Sequence, residues 1–116
     1  MSDPQVYLRF LNLLHTLEGA GQMPTIDADS RKLLELIALK HNQQQSMTIS
    51  DAMALVHIAS PATIHRKLDL LRDVGLVDTV YEGNNRRTKF LVPTPKAMAH
   101  FSGLGQAMQQ ALGPAT

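Results

Sequence analysis

The side chains best able to do chemistry in this chain are basic, and they collect at two places in its second half, residues 66–72 and residues 86–89. The net charge is only +1, because residues 1–56 carry four Lys and Arg residues against six acids, whereas residues 57–116 carry seven against four. A local stripe of cations can attract a polyanion even when the total charge is small. The charge distribution therefore favours an anionic partner such as nucleic acid.

The other residues that could take part in catalysis or bind a metal form no catalytic pattern. The absence of cysteine excludes disulfides, thiolate catalysis and zinc sites with cysteine ligands. The five histidines are scattered, and no pair has the i, i+4 spacing of a zinc protease. A metal site assembled from histidines far apart in the sequence is the remaining alternative. We expect a protein that is not an enzyme and that uses no metal and no cofactor.

Composition and length favour one folded domain. The 116 residues are 44% hydrophobic and 18% charged, which is ordinary for a globular protein. No apolar run approaches the ~20 residues that a membrane-spanning helix needs, and the first residues lack the basic region of a secretory signal. We therefore expect a cytoplasmic protein without a membrane partner.

Capping residues and apolar spacing predict five helices and a hairpin. Asp27 starts the second helix, Thr48 and Asp51 form a capping box at the third, and Ser60-Pro61 starts the fourth. In the last helix the predicted apolar stripe is Ala97, Phe101, Leu104 and Met108. The predicted helices are 5–18 (ended by Gly19 and Gly21), 28–42, 49–57, 61–74 (ended by Gly75) and 95–112 (ended by Gly113-Pro114), with strands at 77–81 and 88–92.

The two helices predicted at 49–57 and 61–74 have the plan of a helix-turn-helix, in which the second helix enters the major groove of DNA by its N-terminus. Ile64, Leu68 and Leu71 share its inner face, so the outer face is polar. Arg is the side chain that most often reads guanine, and a helix start with a free hydroxyl suits a phosphate. The predicted DNA contacts here are Ser60, Ala62, Thr63, His65, Arg66 and Lys67. A plain helical bundle is the alternative for this pattern alone.

The hairpin that follows has a basic tip. Residues 82–87 are rich in Gly and Asn, which tolerate the conformations of a turn. Arginine side chains are attracted to narrow minor grooves, so a basic hairpin next to a helix-turn-helix favours DNA binding. The predicted contacts are Asn85, Arg86, Arg87 and Lys89. The alternative is an ordinary solvated hairpin tip.

Residues 48–51 (TISD) and 60–77 (SPATIHRKLDLLRDVGLV), continued by 87–90 and 92–96, resemble the winged helix-turn-helix transcriptional regulators, and among them the MarR-like group. The resemblance implies a mainly α fold with a small β-hairpin and with flanking N- and C-terminal dimerisation helices. It implies recognition helices in the major groove, wings at the minor groove, and often a small-molecule effector. The whole chain, 1–116, is then a single winged-helix domain with dimerisation helices at 5–18 and 95–112 and a DNA-binding core at 26–92.

Two functions follow from these patterns. The first is a sequence-specific, DNA-binding transcriptional regulator, a homodimer that reads a palindromic site in double-stranded DNA. The alternative is a winged-helix protein-interaction module that does not bind DNA. The low net charge keeps this alternative open. So does Ile58, which stands near the place where such turns often have Gly, because a β-branched residue resists positive φ.

Overall fold

A computed structural model describes residues 2–20 and 25–113. The predicted order of helices and strands is confirmed in these ranges, although several boundaries move. Gly21 and Pro114, which the sequence predicts to help end the first and last helices, lie outside the described residues. The elements are α1 (Asp3–Gly19), α2 (Ala28–Asn42), α3 (Ile49–Met53), α4 (Pro61–Asp73), β1 (Val77–Glu82), β2 (Asn85–Pro93) and α5 (Pro95–Leu112).

The chain forms two compact units, one of Thr25–Ala97 and the other of Met1–Pro24 with Met98–Thr116. The first unit holds an aliphatic core between α2, α4 and the hairpin. Burial of one such side chain contributes roughly 1.5–3 kcal/mol, so these residues supply much of the unit's stability. The core leucines and isoleucines that are at most 1% exposed are Leu33, Leu34, Ile37, Ile64, Leu71, Leu76 and Leu91.

The predicted starts of α2, α3 and α4 are confirmed. The Asp27 carboxylate accepts a hydrogen bond from the Ser30 amide at 2.8 Å. Thr48 and Asp51 each accept the other's amide N–H at 3.0 Å, which completes the capping box. The Ser60 hydroxyl accepts the Thr63 amide at 3.3 Å. Each bond satisfies a donor that the first helical turn leaves without a backbone partner.

The third helix is shorter than its pattern predicts. It ends at Met53 rather than at residue 57, and residues 54–59 form an irregular turn. Backbone hydrogen bonds from Leu55 to Ala52 and from Ile58 to Leu55, at 3.0 and 2.9 Å, hold this turn. Within the described ranges, Gln44 is the one residue other than glycine with positive φ. Ile58 therefore fits the turn without strain, and no glycine is required there.

The hairpin is tighter at its tip than predicted. Residues 82–87 do not form one long turn, because Glu82 already pairs with Asn85 across a two-residue turn. Gly83, the first turn residue, has φ +57°, a value that side chains disfavour. Pairing then shifts, since Tyr81 lies opposite Lys89, and residues 86–88 bulge from β2. The Asn85 side-chain oxygen accepts the amides of Arg87 and Thr88 at 2.9 and 3.3 Å and closes the bulge.

A third extended segment joins the hairpin just before α3. Thr48 pairs with Phe90 of β2, and the Leu91 amide donates to the Met47 carbonyl at 2.7 Å. At the other end of α4, Gly75 has φ +78° and redirects the chain into β1, as its position predicts. These connections fix the helix-turn-helix against the base of the wing, which is the hairpin of β1 and β2.

The second unit contains α1 and most of α5. Arg9 donates to the Gly113 carbonyl at 3.3 Å, and Gly103 lies beside Leu17. The stripe predicted for α5 is wrong at Met108, which is 56% exposed, because the small residues Ala107 and Ala111 are the buried ones on that part of the helix. No helix in residues 2–20 and 25–113 has the length and apolarity to cross a membrane.

Candidate nucleic-acid interface

Helix α4 has the two faces that the sequence predicts. Ile64, Leu68 and Leu71 are at most 3% exposed and hold the helix on the core. Ala62, His65 and Arg66 point to solvent, and Thr63 is half-buried. Because the inner face is fully used in packing, the outer face near the N-terminus is available for a partner.

The first turn of α4 orders Arg66. The Thr63 hydroxyl oxygen accepts the Ser60 hydroxyl at 3.0 Å and the Arg66 guanidinium at 3.1 Å. Ser60 in turn accepts the Thr63 amide. The hydroxyls of Ser60 and Thr63 are therefore engaged within the helix, and their joint effect is to hold the Arg66 head group beside the N-terminal turn. This is the end of the helix that approaches base edges in a helix-turn-helix.

His65 has a local acidic neighbour. Its Nδ1 lies 3.5 Å from the Asp69 carboxylate one turn later, and both side chains are more than half exposed. Exposed pairs of this kind contribute little to stability. The imidazole therefore remains free to exchange Asp69 for another acceptor, such as a base edge or a phosphate.

Lys67 lies at the edge of the same helix but is paired. Its ammonium is 2.9 Å from the Asp27 carboxylate, the N-cap of α2. Hydrogen bonds from the Ser30 amide and from Lys67 lower the pKa of Asp27 from 3.8 to about 2. Asp27 is therefore ionised at neutral pH, and its charge balances that of Lys67. The pair joins α2 to α4, and an external anion would have to compete with Asp27 for the Lys67 ammonium.

Arg72, a member of the first basic group, has acidic surroundings. It lines an open depression with Asp69, Asp73 and Asp78. Three carboxylates around one guanidinium make this depression unfavourable for a phosphate.

Within the ranges that the structure describes, no group of three or more His, Cys, Asp or Glu residues is placed to hold a metal ion.

The wing carries the densest exposed positive charge. Arg86, Arg87 and Lys89 are all exposed on β2. The Arg86 guanidinium carbon lies 5.6 Å from the centre of the Tyr81 ring, and the Lys89 ammonium lies 5.7 Å from the same ring. The sequence pattern marks Tyr81 only as the end of a strand. The contact depends on the bulge after Asn85, which no local signal predicts.

The sequence matches no protein-family model and no curated protein. Solved structures do match the fold. The transcriptional regulator Tm0710 from Thermotoga maritima superposes with a TM-score of 0.59 at 15% identity, over 90% of this chain and 66% of that one. A MarR-like transcriptional regulator from the same organism, tm0816, superposes with a TM-score of 0.60 at 14% identity, over 97% of this chain and 79% of that one. The transcriptional regulator BldR from Sulfolobus solfataricus superposes with a TM-score of 0.51 at 15% identity, over 95% of this chain and 81% of that one.

At these identities the likeness concerns the fold. The helix-turn-helix of α3 and α4, the Thr48–Phe90 pairing and the two-stranded wing are the parts that define it in this chain. The chain therefore has the winged-helix fold of the MarR-like transcriptional regulators, as its resemblance to that group implies.

Proposed function

We propose that this protein is a DNA-binding transcriptional regulator that acts in the cytoplasm as a homodimer and reads a palindromic site in double-stranded DNA. The observation that carries the proposal is that α4 has one buried face and one exposed face. Its inner face is buried, and its outer face exposes Ala62, His65 and Arg66 at the N-terminal end, which in helix-turn-helix proteins enters the major groove. The small side chain of Ala62 allows the helix start to approach the bases closely.

Base readout is assigned to Arg66 and His65. The Thr63 hydroxyl holds Arg66, so the guanidinium loses less freedom when it binds a guanine edge. Ser60 and Thr63 support this arrangement. The Ser60 hydroxyl donates to Thr63, whereas the Thr63 hydroxyl keeps its own proton for a phosphate at the helix start. Phosphates are assigned to the wing, where Arg86, Arg87 and Lys89 are exposed and Asn85 shapes the bulge that carries them.

Homodimerisation is supported by the apolar surface of α1 and α5. No residue of α1 is buried, and Tyr7 and Leu8 are 60% and 56% exposed. On α5, Met108 and Leu112 are 56% and 73% exposed. Two copies that bury these side chains against each other would form a twofold dimer, and a twofold dimer matches the symmetry of a palindromic operator.

The strength of the salt dependence tests the proposal. Lys67 is paired with Asp27 and Arg72 has acidic neighbours, so Arg86, Arg87 and Lys89 remain as phosphate-binding candidates, and Arg66 in the groove adds a fourth cation. Three or four contacts per protomer give about six to eight per dimer. Each contact contributes about −0.9 to the slope of log K against log salt, so the slope lies near −5 to −7.

The experiment has two steps. Duplexes that the protein binds are selected from a random pool and sequenced, and the best one is then titrated by fluorescence anisotropy at several salt concentrations. A palindromic consensus and a steep slope support a dimeric regulator. A slope near −2 would show that the wing does not touch DNA.

The alternative is a winged-helix module that binds other proteins and not DNA. It is favoured by the net charge of +1 and by the three carboxylates beside Arg72. Such a module has no reason to bind a selected duplex more tightly than a random one. No binding to any duplex at about 50 mM salt, where phosphate contacts are strong, would make it the better account.

A further inference from the structure

Tyr81 occupies a central position at the wing. It lies directly opposite Lys89 in the hairpin register, so its ring and the Lys89 stem are cross-strand neighbours. Arg86 lies three residues earlier on β2, at the start of the bulge. The Asn85 side chain closes this bulge by accepting the amides of Arg87 and Thr88. The closed bulge brings Arg86 back towards the ring, so that both cations lie within 5.7 Å of the ring centre.

A neutral ring holds a cation in a different way from a carboxylate. The face of an aromatic ring attracts a cation through its quadrupole, but it carries no net charge and therefore leaves the cation's charge uncompensated. Lys67 shows the contrast, because the Asp27 carboxylate that positions its ammonium also balances its charge. Arg86 and Lys89 are positioned by Tyr81 and keep their full positive charge for an external anion.

Long cationic side chains lose rotational freedom when they bind a phosphate, and this loss weakens association. A ring that already restricts two of them reduces the loss before the partner arrives. The ring is also accessible, since Tyr81 is 41% exposed, so a phosphate can approach the two head groups while they stay against the ring.

We propose that Tyr81 is a positioning residue that holds Arg86 and Lys89 beside the wing for contact with the DNA backbone. This inference rests on the proposed function, because the anion that the two cations would bind is a phosphate of DNA. Tyr81 acts through its ring, not through its hydroxyl.

Two variants separate the ring from the hydroxyl. Tyr81→Leu removes the aromatic face and keeps an apolar side chain, whereas Tyr81→Phe keeps the face and removes the hydroxyl. We expect Tyr81→Leu to weaken duplex binding by about three- to tenfold and Tyr81→Phe to bind as the unaltered protein does. An equal loss in both variants would overturn the proposal, because the hydroxyl would then contact DNA itself. Unchanged binding by Tyr81→Leu would overturn it as well.

A double-mutant cycle tests whether the effect passes through the cations. In a background with Arg86→Met and Lys89→Met, which keeps side-chain length without charge, Tyr81→Leu should cause no further loss. A loss of the same size as in the unaltered background would show that Tyr81 acts by another route. The Arg87→Met background is the control, and there the effect of Tyr81→Leu should persist in full.

Side-chain NMR of the free protein provides a readout without DNA. The ring current of Tyr81 should displace the Arg86 Hδ and Lys89 Hε resonances in the unaltered protein and in Tyr81→Phe, and the displacement should disappear in Tyr81→Leu. Identical resonances in all three proteins would overturn the proposal. If the unaltered protein binds no duplex, the proposed function fails. If it binds and Tyr81→Leu binds equally well, the function stands and the role of Tyr81 fails.

Discussion

The Lys67 ammonium and the Asp27 carboxylate, 40 residues apart in the chain, form a 2.9 Å ion pair between the edge of α4 and the start of α2. The same carboxylate accepts the Ser30 amide and the Ser30 hydroxyl at 2.8 and 2.9 Å. One acid therefore caps a helix and occupies a cation that would otherwise be available on the outside of α4. The pair separates two neighbours on one helix, Lys67 with a structural role and Arg66 with a proposed role in recognition.

Replacement of Asp27 by Ala should destabilise the protein by about 1 kcal/mol, because the N-cap bond to Ser30 and the partner of Lys67 are both lost. Asp27→Asn should cost less, since an amide oxygen still caps the helix. Urea denaturation followed by circular dichroism measures both changes. Asp29→Ala, in the exposed first turn of the same helix, is the control and should alter stability by only a few tenths of a kcal/mol. Equal stability of Asp27→Ala and the unaltered protein would exclude a capping role.

Acid should weaken the fold through the same carboxylate. The pKa of Asp27 is lowered from 3.8 to about 2 in the folded protein, first by the Ser30 amide and then by Lys67. A lowered folded-state pKa means that the stabilisation is complete above about pH 4 and is lost as the pH falls towards 2. The difference in unfolding free energy between the unaltered protein and Asp27→Asn should therefore shrink across this window. A difference that stays constant from pH 5 to pH 2 would contradict the assignment.

Replacement of Arg66 by Ala should reduce affinity for the selected site by ~1–3 kcal/mol and relax the preference at one base position. Lys67→Ala is the matched control, because it removes the adjacent cation on the same helix. Its loss of affinity should be the same on selected and random duplexes, since Lys67 is paired with Asp27 and reads no base. Anisotropy titrations on selected and random duplexes distinguish the two variants. If Arg66→Ala loses the same affinity on both duplexes, Arg66 contacts phosphate and not a base.

A charge placed on the exposed surface of α1 should break the proposed dimer. Leu8, which is 56% exposed, is a suitable position for Lys, because the substitution leaves the packing within the chain intact. Light scattering should then give the mass of one chain, where the unaltered protein gives twice that mass at micromolar concentration. Leu39→Lys changes a leucine of similar exposure on α2 and should leave the dimer intact. A monomeric unaltered protein would remove the basis for a palindromic site.

Local capping chemistry explains why the sequence predicts the helix starts so well. Thr48 with Asp51 and Ser60 with Thr63 interact across three residues, so their types and spacing are sufficient to place the boundary. Gly75 is similar, because a residue with φ +78° after a helix is favoured as glycine whatever lies around it. The apolar spacing of Ile64, Leu68 and Leu71 then determines which face of α4 is buried, and hence that Arg66 is exposed.

Features that depend on residues far apart in the chain were decided only by the tertiary structure. Helix α3 ends at Met53, whereas periodicity alone extends it to residue 57. Ala107 and Ala111 are buried in place of Met108 because of the rotation of α5 about its axis. The helix is rich in small residues, so its sequence pattern does not specify which face is buried.

The candidate site divides in the same way. Sequence alone determines that Arg66, Arg86, Arg87 and Lys89 are exposed cations, because neighbouring residues fix the helix face and the hairpin tip. It does not determine which cations keep their charge available. That depends on Asp27, which reaches Lys67 across 40 residues, and on a bulge that brings Arg86 to Tyr81. The Asp27–Lys67 pair and the approach of Arg86 to Tyr81 both depend on how the chain folds back on itself. The spacing of residues within one helix or strand therefore cannot predict them.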